Sequence, residues 1–123
     1  MKPGHTGVYR LYKAFGFSLQ GLRAAVKHES AFRQECGLLI ATIVLVSVLA
    51  ISPLEKLIMI ASILFLMVVE LINSAIEATV DRVGSEQHEL SGQAKDMGSA
   101  AVLLTTFIIA LIWGYIALGY YQS

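Results

Sequence analysis

From Leu57 to Val80 the chain reads LIMIASILFLMVVELINSAIEATV, a run whose only charges are Glu70 and Glu77. A bilayer core about 30 Å thick takes about 20 residues of helix to cross, so the stretch is long enough to span it. At 3.6 residues per turn, Glu70, Asn73, Glu77 and Asp81 fall on one stripe with Ser74 beside it. Glu70 and Glu77 stand two turns apart, about 10 Å along the axis, and can serve neighbouring but distinct sites. An ionisable side chain inside a span is costly and normally faces a protein interior or a watery cleft. A polar face that joins helices is the plainer alternative, but two glutamates with an asparagine between them favour chemistry. A carboxylate in apolar surroundings, Glu70, suits a base that takes a proton from an alcohol. Glu77, nearer the aqueous edge, suits a hard cation such as magnesium.

Two more stretches flank this one. Cys36 to Leu54 carries no charge, and neither does Met97 to the C-terminus. With 123 residues, 56% of them hydrophobic and 15% charged, and a mean hydropathy of +0.68, the composition excludes a water-soluble domain of this size. The reading is an all-α membrane protein forming a single domain, with spans at about 36–54, 57–80 and 97–121. Ser52-Pro53 reads as the tight turn that closes the first two spans into a hairpin. Lys2, Arg10, Lys13, Arg23, Lys27 and Arg33 all precede the first span, Arg82 and Lys95 lie between the second and third, and only Lys56 lies in the hairpin turn. Basic residues stay on the cytoplasmic side. The N-terminus and the 81–96 loop are therefore expected inside, the hairpin turn and C-terminus outside, with Tyr115, Tyr120 and Tyr121 in the outer interface. No removable signal peptide is predicted. Cys36 is the sole cysteine, so no intrachain disulfide forms, and it reads as a small buried residue.

Ahead of the first span, Val8, Leu11, Phe15, Leu19, Leu22 and Val26 recur at three- and four-residue steps, with Arg10, Lys13, Gln20, Arg23 and Lys27 offset from them. This is a basic amphipathic helix, expected over about 8–34, lying in the headgroup layer with its basic side toward anionic lipid. At the same boundary gather Glu29 and Glu35, and across the next loop Glu86, His88, Glu89, Lys95 and Asp96. Carboxylates with a lysine beside a helix N-terminus can hold magnesium-bound phosphate; the plainer readings are a solvated His88, a Lys95 anchor and an Asp96 N-cap. The chain has no GxxxxGK[ST] loop and no protein-kinase signature set, so any nucleotide site is unconventional. Gly98-Ser99-Ala100-Ala101 and the Ser74 and Ala78 pair offer small surfaces for close helix contact. Three thin helices do not enclose both a nucleotide and a lipid, so a homo-oligomer with shared sites is predicted.

The segments Glu70 to Arg82 (ELINSAIEATVDR) and Lys95 to Val102 (KDMGSAAV) closely resemble the signature of the small prokaryotic diacylglycerol kinases. Gly21 to Ala25, Glu29, Ala31 to Glu35 (AFRQE) and Gly84 to Gly92 (GSEQHELSG) follow the same family in order and spacing. The resemblance covers nearly the whole chain. It implies a homotrimer in the bacterial inner membrane with composite sites between protomers, transferring the γ-phosphoryl group of ATP to diacylglycerol. By that carry-over Glu70 is the base, Asn73 supports the site, and Glu29 and Glu77 hold magnesium on ATP. Arg10, Phe17, Glu86, Gln87, His88, Lys95 and Asp96 match nucleotide positions. The lipid cleft is matched on the first helix by Arg10, by Ala14, Phe15, Gly16, Phe17, Ser18 and Leu19, and by Arg23, Ala24, Ala25 and Val26. Further along it is matched by Ala31, Phe32, Arg33, Gln34 and Glu35, by Val48, Leu49, Ala50 and Ile51, and by Glu70 and Ser99. Phe17 and Gln87 stand where well-known members carry tyrosine, and Leu19-Gln20 where they carry Trp-Lys.

Two other readings compete. An undecaprenol kinase of the same architecture would perform the same chemistry on a polyprenol, but the GSEQHELSG and FRQE stretches look more like the diacylglycerol enzymes of Gram-negative bacteria. A proton- or ion-conducting oligomer would account for Glu70 and Glu77 inside a span. It leaves Glu29, Lys95 and Asp96 at the cytoplasmic edge unexplained.

Overall fold

The computed structural model describes residues 7–84 and 88–122, all helix apart from short connections. The elements are α1 (Gly7–His28), α2 (Ser30–Val48), α3 (Pro53–Val83) and α4 (Glu89–Gln122). The last three are long and apolar enough to cross a membrane, and with no strand among the described residues the chain is an all-α membrane protein with three spans. Glu86 and Gln87 lie outside the described residues.

Helix boundaries depart from the sequence reading at three places, each with a local cause. The surface helix expected over 8–34 ends at His28. Glu29 is extended (φ −116, ψ 108), and residues 30–34 open α2. Arg33 stabilises the break, because its Nη1 donates to the carbonyls of Val26 at 2.8 Å and Lys27 at 3.2 Å, end-of-helix acceptors that have no partner within α1. Next, Ser52-Pro53 starts α3 instead of closing α2, which stops at Val48. The Ser52 hydroxyl accepts from the Glu55 amide at 3.1 Å and the Glu55 carboxylate accepts from the Ser52 amide at 2.9 Å. This is a capping box with proline in the first turn, where its missing N–H costs nothing. Finally, α4 begins at Glu89, well before Met97. His88 Nδ1 accepts from the Leu90 amide at 3.1 Å, and the Glu89 carboxylate suits the positive end of the helix dipole. Lys95 and Asp96 consequently lie inside α4, so Asp96 is no N-cap and no helix N-terminus faces Lys95.

The central helix is α3, packed on one side by α2 and on the other by α4. Away from the charged end, Val46, Met59 and Ile116 form a small core joined by Ile51, Ile60, Ile112 and Trp113. Trp113 Nε1 donates to the Ser62 hydroxyl at 2.9 Å, and Ser62 donates onward to the Met59 carbonyl at 2.6 Å. Thr42 and Thr105 return their hydroxyls to carbonyls four residues back, which satisfies them where no water is available. The outward faces carry Ile40 and Val44 on α2, Phe65 and Val68 on α3, and Leu104, Phe107 and Leu111 on α4, all exposed in the single chain. Such apolar faces suit lipid or another apolar surface. Every residue of α1 except Ala25 is exposed in the single chain. Cys36 is half-buried in α2.

Candidate functional site between the surface helix and the second span

Between the C-terminal half of α1 and the facing side of α3 lies a cleft of about 990 Å³. That volume is within the range of small-molecule sites, about 300–1,000 Å³. Ser18, Gly21, Leu22, Ala24, Ala25, His28 and Glu29 line it from one side, and Leu71, Ser74, Ala75, Glu77, Ala78 and Asp81 of α3 line it from the other. Glu29 and Glu77 thus meet one space although they are far apart in the chain. The Ser74 Oγ is buried and takes no partner among the described residues.

The polar stripe of α3 is fanned out toward different neighbours. Glu77, Asp81 and Ser74 turn to the α1 cleft. Asn73 turns to α4, in an apolar hollow of about 420 Å³ with Val69, Ile72, Ile76, Ala94, Met97, Gly98 and Ala101. Glu70, only 7% exposed, lies against the carboxyl group of Glu35 on α2, whose Oε1 is buried and takes no hydrogen bond among the described residues. At 100° per residue these positions spread over about 100° of the helix surface, so they can meet different elements when three helices crowd around it. That fan could not be read from α3 alone.

Lys95 reaches back from α4 to Asp81, with Nζ 2.7 Å from Oδ1, and also interacts with the Glu77 carboxylate. Asp81 was on the expected stripe but had no assigned part, and its i+4 spacing from Glu77 was the available signal. His28, which also lines the cleft, carries no motif that would single it out. His88 turns its Nδ1 to the cap of α4, and Asp96 is exposed.

The remaining expected contacts spread along the molecule. Arg10, Ala14 to Leu19, Arg23, Ala24 and Val26 are exposed on α1, and Ser18 also donates to the Ala14 carbonyl at 3.0 Å. Ala25 and Phe32 are buried within the fold, and Ala31 and Gln34 are exposed at the start of α2. Val48 to Ile51 sit at the α2–α3 turn, and Glu70 lies 17 residues along α3 from Pro53, about 26 Å at 1.5 Å per residue. They therefore stand at a different depth from Glu70. Ser99 is exposed on α4.

Among the described residues no three His, Cys, Asp or Glu side chains gather closely enough to enclose a metal by themselves. Two carboxylates facing one cleft nonetheless fit magnesium, which is commonly held by one or two carboxylates together with substrate phosphates and water.

The sequence profile of "Prokaryotic diacylglycerol kinase" matches residues 16–117. A diacylglycerol kinase of Escherichia coli (strain K12) is 49% identical over 113 residues, covering 92% of this chain and 93% of that protein. One from Haemophilus influenzae is 48% identical over 109 residues, 89% of this chain and 92% of the relative. Another, from Pseudomonas aeruginosa, is 48% identical over 116 residues, 94% of each. With the match running through the cleft, the α3 carboxylates and most of α4, the chain belongs to the prokaryotic diacylglycerol kinase family.

Proposed function

We propose that the protein transfers the γ-phosphoryl group of ATP to the primary hydroxyl of diacylglycerol, giving phosphatidic acid and ADP at the cytoplasmic face of the bacterial inner membrane. The observation that carries the reading is the buried Glu70 carboxylate within a span, two turns from Glu77 at an open cleft. Diacylglycerol is dissolved in lipid and ATP in the cytosol, so the reaction needs a polar path across that boundary. The polar residues of α3 from Glu70 to Asp81 run toward that boundary and support this reading.

Glu70 accepts the proton of the lipid hydroxyl as its oxygen forms the new bond to the γ-phosphorus and the bond to the β,γ-bridging oxygen breaks. Glu29 and Glu77 would hold magnesium, which, when bound, neutralises phosphate charge. Lys95 offers N–H donors to the phosphates from α4, with Arg10 and Asp96 among the nucleotide contacts, and the Asn73 amide orients groups beside the base. The chain's contribution is mainly positioning and charge complementarity. The apolar outward faces, exposed in the single chain, support a homotrimer in which neighbouring protomers complete each site. The distribution of lysine and arginine supports a cytoplasmic N-terminus and a periplasmic C-terminus.

The test is transfer of label from γ-labelled ATP to lipid by purified protein in mixed micelles containing diacylglycerol or undecaprenol. Labelled phosphatidic acid is expected, and Glu70→Gln, nearly isosteric but unable to act as base, is expected to lower transfer at least a hundredfold with the oligomer intact. An active Glu70→Gln protein would remove the assigned base. Labelled polyprenyl phosphate alone would make the protein a polyprenol kinase, and no labelled lipid from folded oligomer would reject phosphoryl transfer.

A further inference from the structure

Asn73 is the only asparagine in the chain. Its Oδ1 is buried and takes no hydrogen bond among the described residues, so its amide group is held by what it packs against. Its neighbour there is Gly98, which is buried in α4. A Cβ built on Gly98 would collide with Asn73 Oδ1, stand 3.3 Å from Asn73 Cγ and lie 3.8 Å from Ile76 Cδ1. The same construction at Gly92, Gly114 and Gly119, all in α4, meets nothing within 4 Å. The demand for a missing Cβ is therefore local to Asn73 and is not a general property of this helix.

We infer that Gly98 is a positioning residue of the site, fixing the Asn73 amide beside the reacting groups by leaving it the space a methyl group would fill. The inference rests on the proposed phosphoryl transfer and on the place of Asn73 in it. An amide at the end of a two-torsion side chain yields more easily than two packed backbones do. Alanine also favours helix over glycine. A methyl group at residue 98 should therefore swing Asn73 aside without unfolding the protein, and a displacement of about 1 Å can cost up to about a hundredfold in rate.

The experiment compares Gly98→Ala with Gly114→Ala and Asn73→Ala in full-length oligomer in mixed micelles. It follows transfer kinetics, thermal unfolding and, for the variants that keep the residue, the side-chain amide signals of selectively 15N-labelled asparagine. Because Asn73 is the only asparagine, those signals belong to one residue. Gly98→Ala is expected to move them, lower kcat about tenfold or more, leave KM for ATP within about twofold and keep the unfolding midpoint; Gly114→Ala is expected to do none of these. Unmoved amide signals, an unchanged kcat, or equal effects in Gly114→Ala would overturn the inference. So would loss of the folded oligomer in Gly98→Ala, because the glycine would then be a packing requirement. Full activity in Asn73→Ala would instead remove Asn73 from the site and this inference with it, whereas absence of transfer in the unaltered protein would remove the proposed function itself.

Discussion

Glu77 and Asn73 are four residues apart on α3, yet they face different helices, Glu77 the α1 cleft and Asn73 the α4 hollow. Under the proposed reaction their replacement should therefore produce different kinetic signatures. Glu77→Gln keeps the side-chain volume and removes the charge a hard cation needs. The expected result is a rise of about tenfold or more in the magnesium required for half-maximal transfer, measured by titrating magnesium at fixed ATP. An unchanged magnesium dependence would reject Glu77 as a ligand. Glu70 and Glu77 were legible in the sequence because a charge inside an apolar run has few plain explanations. The pairing of Lys95 with Asp81 was not, since both belong to an ordinary charged boundary and only the packing of α3 on α4 decides which charges meet. The contact of Gly98 with Asn73 was hidden for the same reason: a small residue in one helix says nothing of its opposite number in another.

Among the elements, the three spans were read from length and hydropathy, while their ends were set by side-chain hydrogen bonds that hydropathy does not register. Ser52 with Glu55 is a recognisable start signal, but proline read as a helix breaker concealed it. The Arg33 bonds to the end of α1 have no sequence rule behind them. Deep in the bundle, α3 and α4 are joined by Trp113 and Ser62, away from Glu29 and Glu77. Trp113→Phe removes the indole donor while leaving the Ser62 bond to Met59. It should lower unfolding stability by about 1 kcal/mol and leave phosphoryl transfer within about twofold, as read by thermal unfolding and the lipid assay on one preparation. A stability equal to that of the unaltered protein would show that the bond contributes nothing net.

For the whole molecule, the proposed arrangement in the membrane makes a test independent of catalysis. In a Cys36→Ser background, Ala50→Cys in the α2–α3 turn should react with a membrane-impermeant maleimide in cells whose outer membrane alone is opened. Gly84→Cys should react only after the inner membrane is breached. The opposite pattern would invert the protein and place the Glu29 and Glu77 cleft on the wrong side for cytosolic ATP. The three-span plan was visible because the bilayer imposes one length on every crossing helix. The fan of polar groups around α3 was not, because it depends on where α1, α2 and α4 stand around it.

The extended residue that separates α1 from α2 is Glu29 itself, and under the proposed arrangement it divides a helix at the lipid surface from one that crosses the bilayer. Any tilt of the surface helix relative to its span must turn through that residue. Under the proposed arrangement, a change in bilayer thickness would reach this carboxylate as a change in its own backbone torsions.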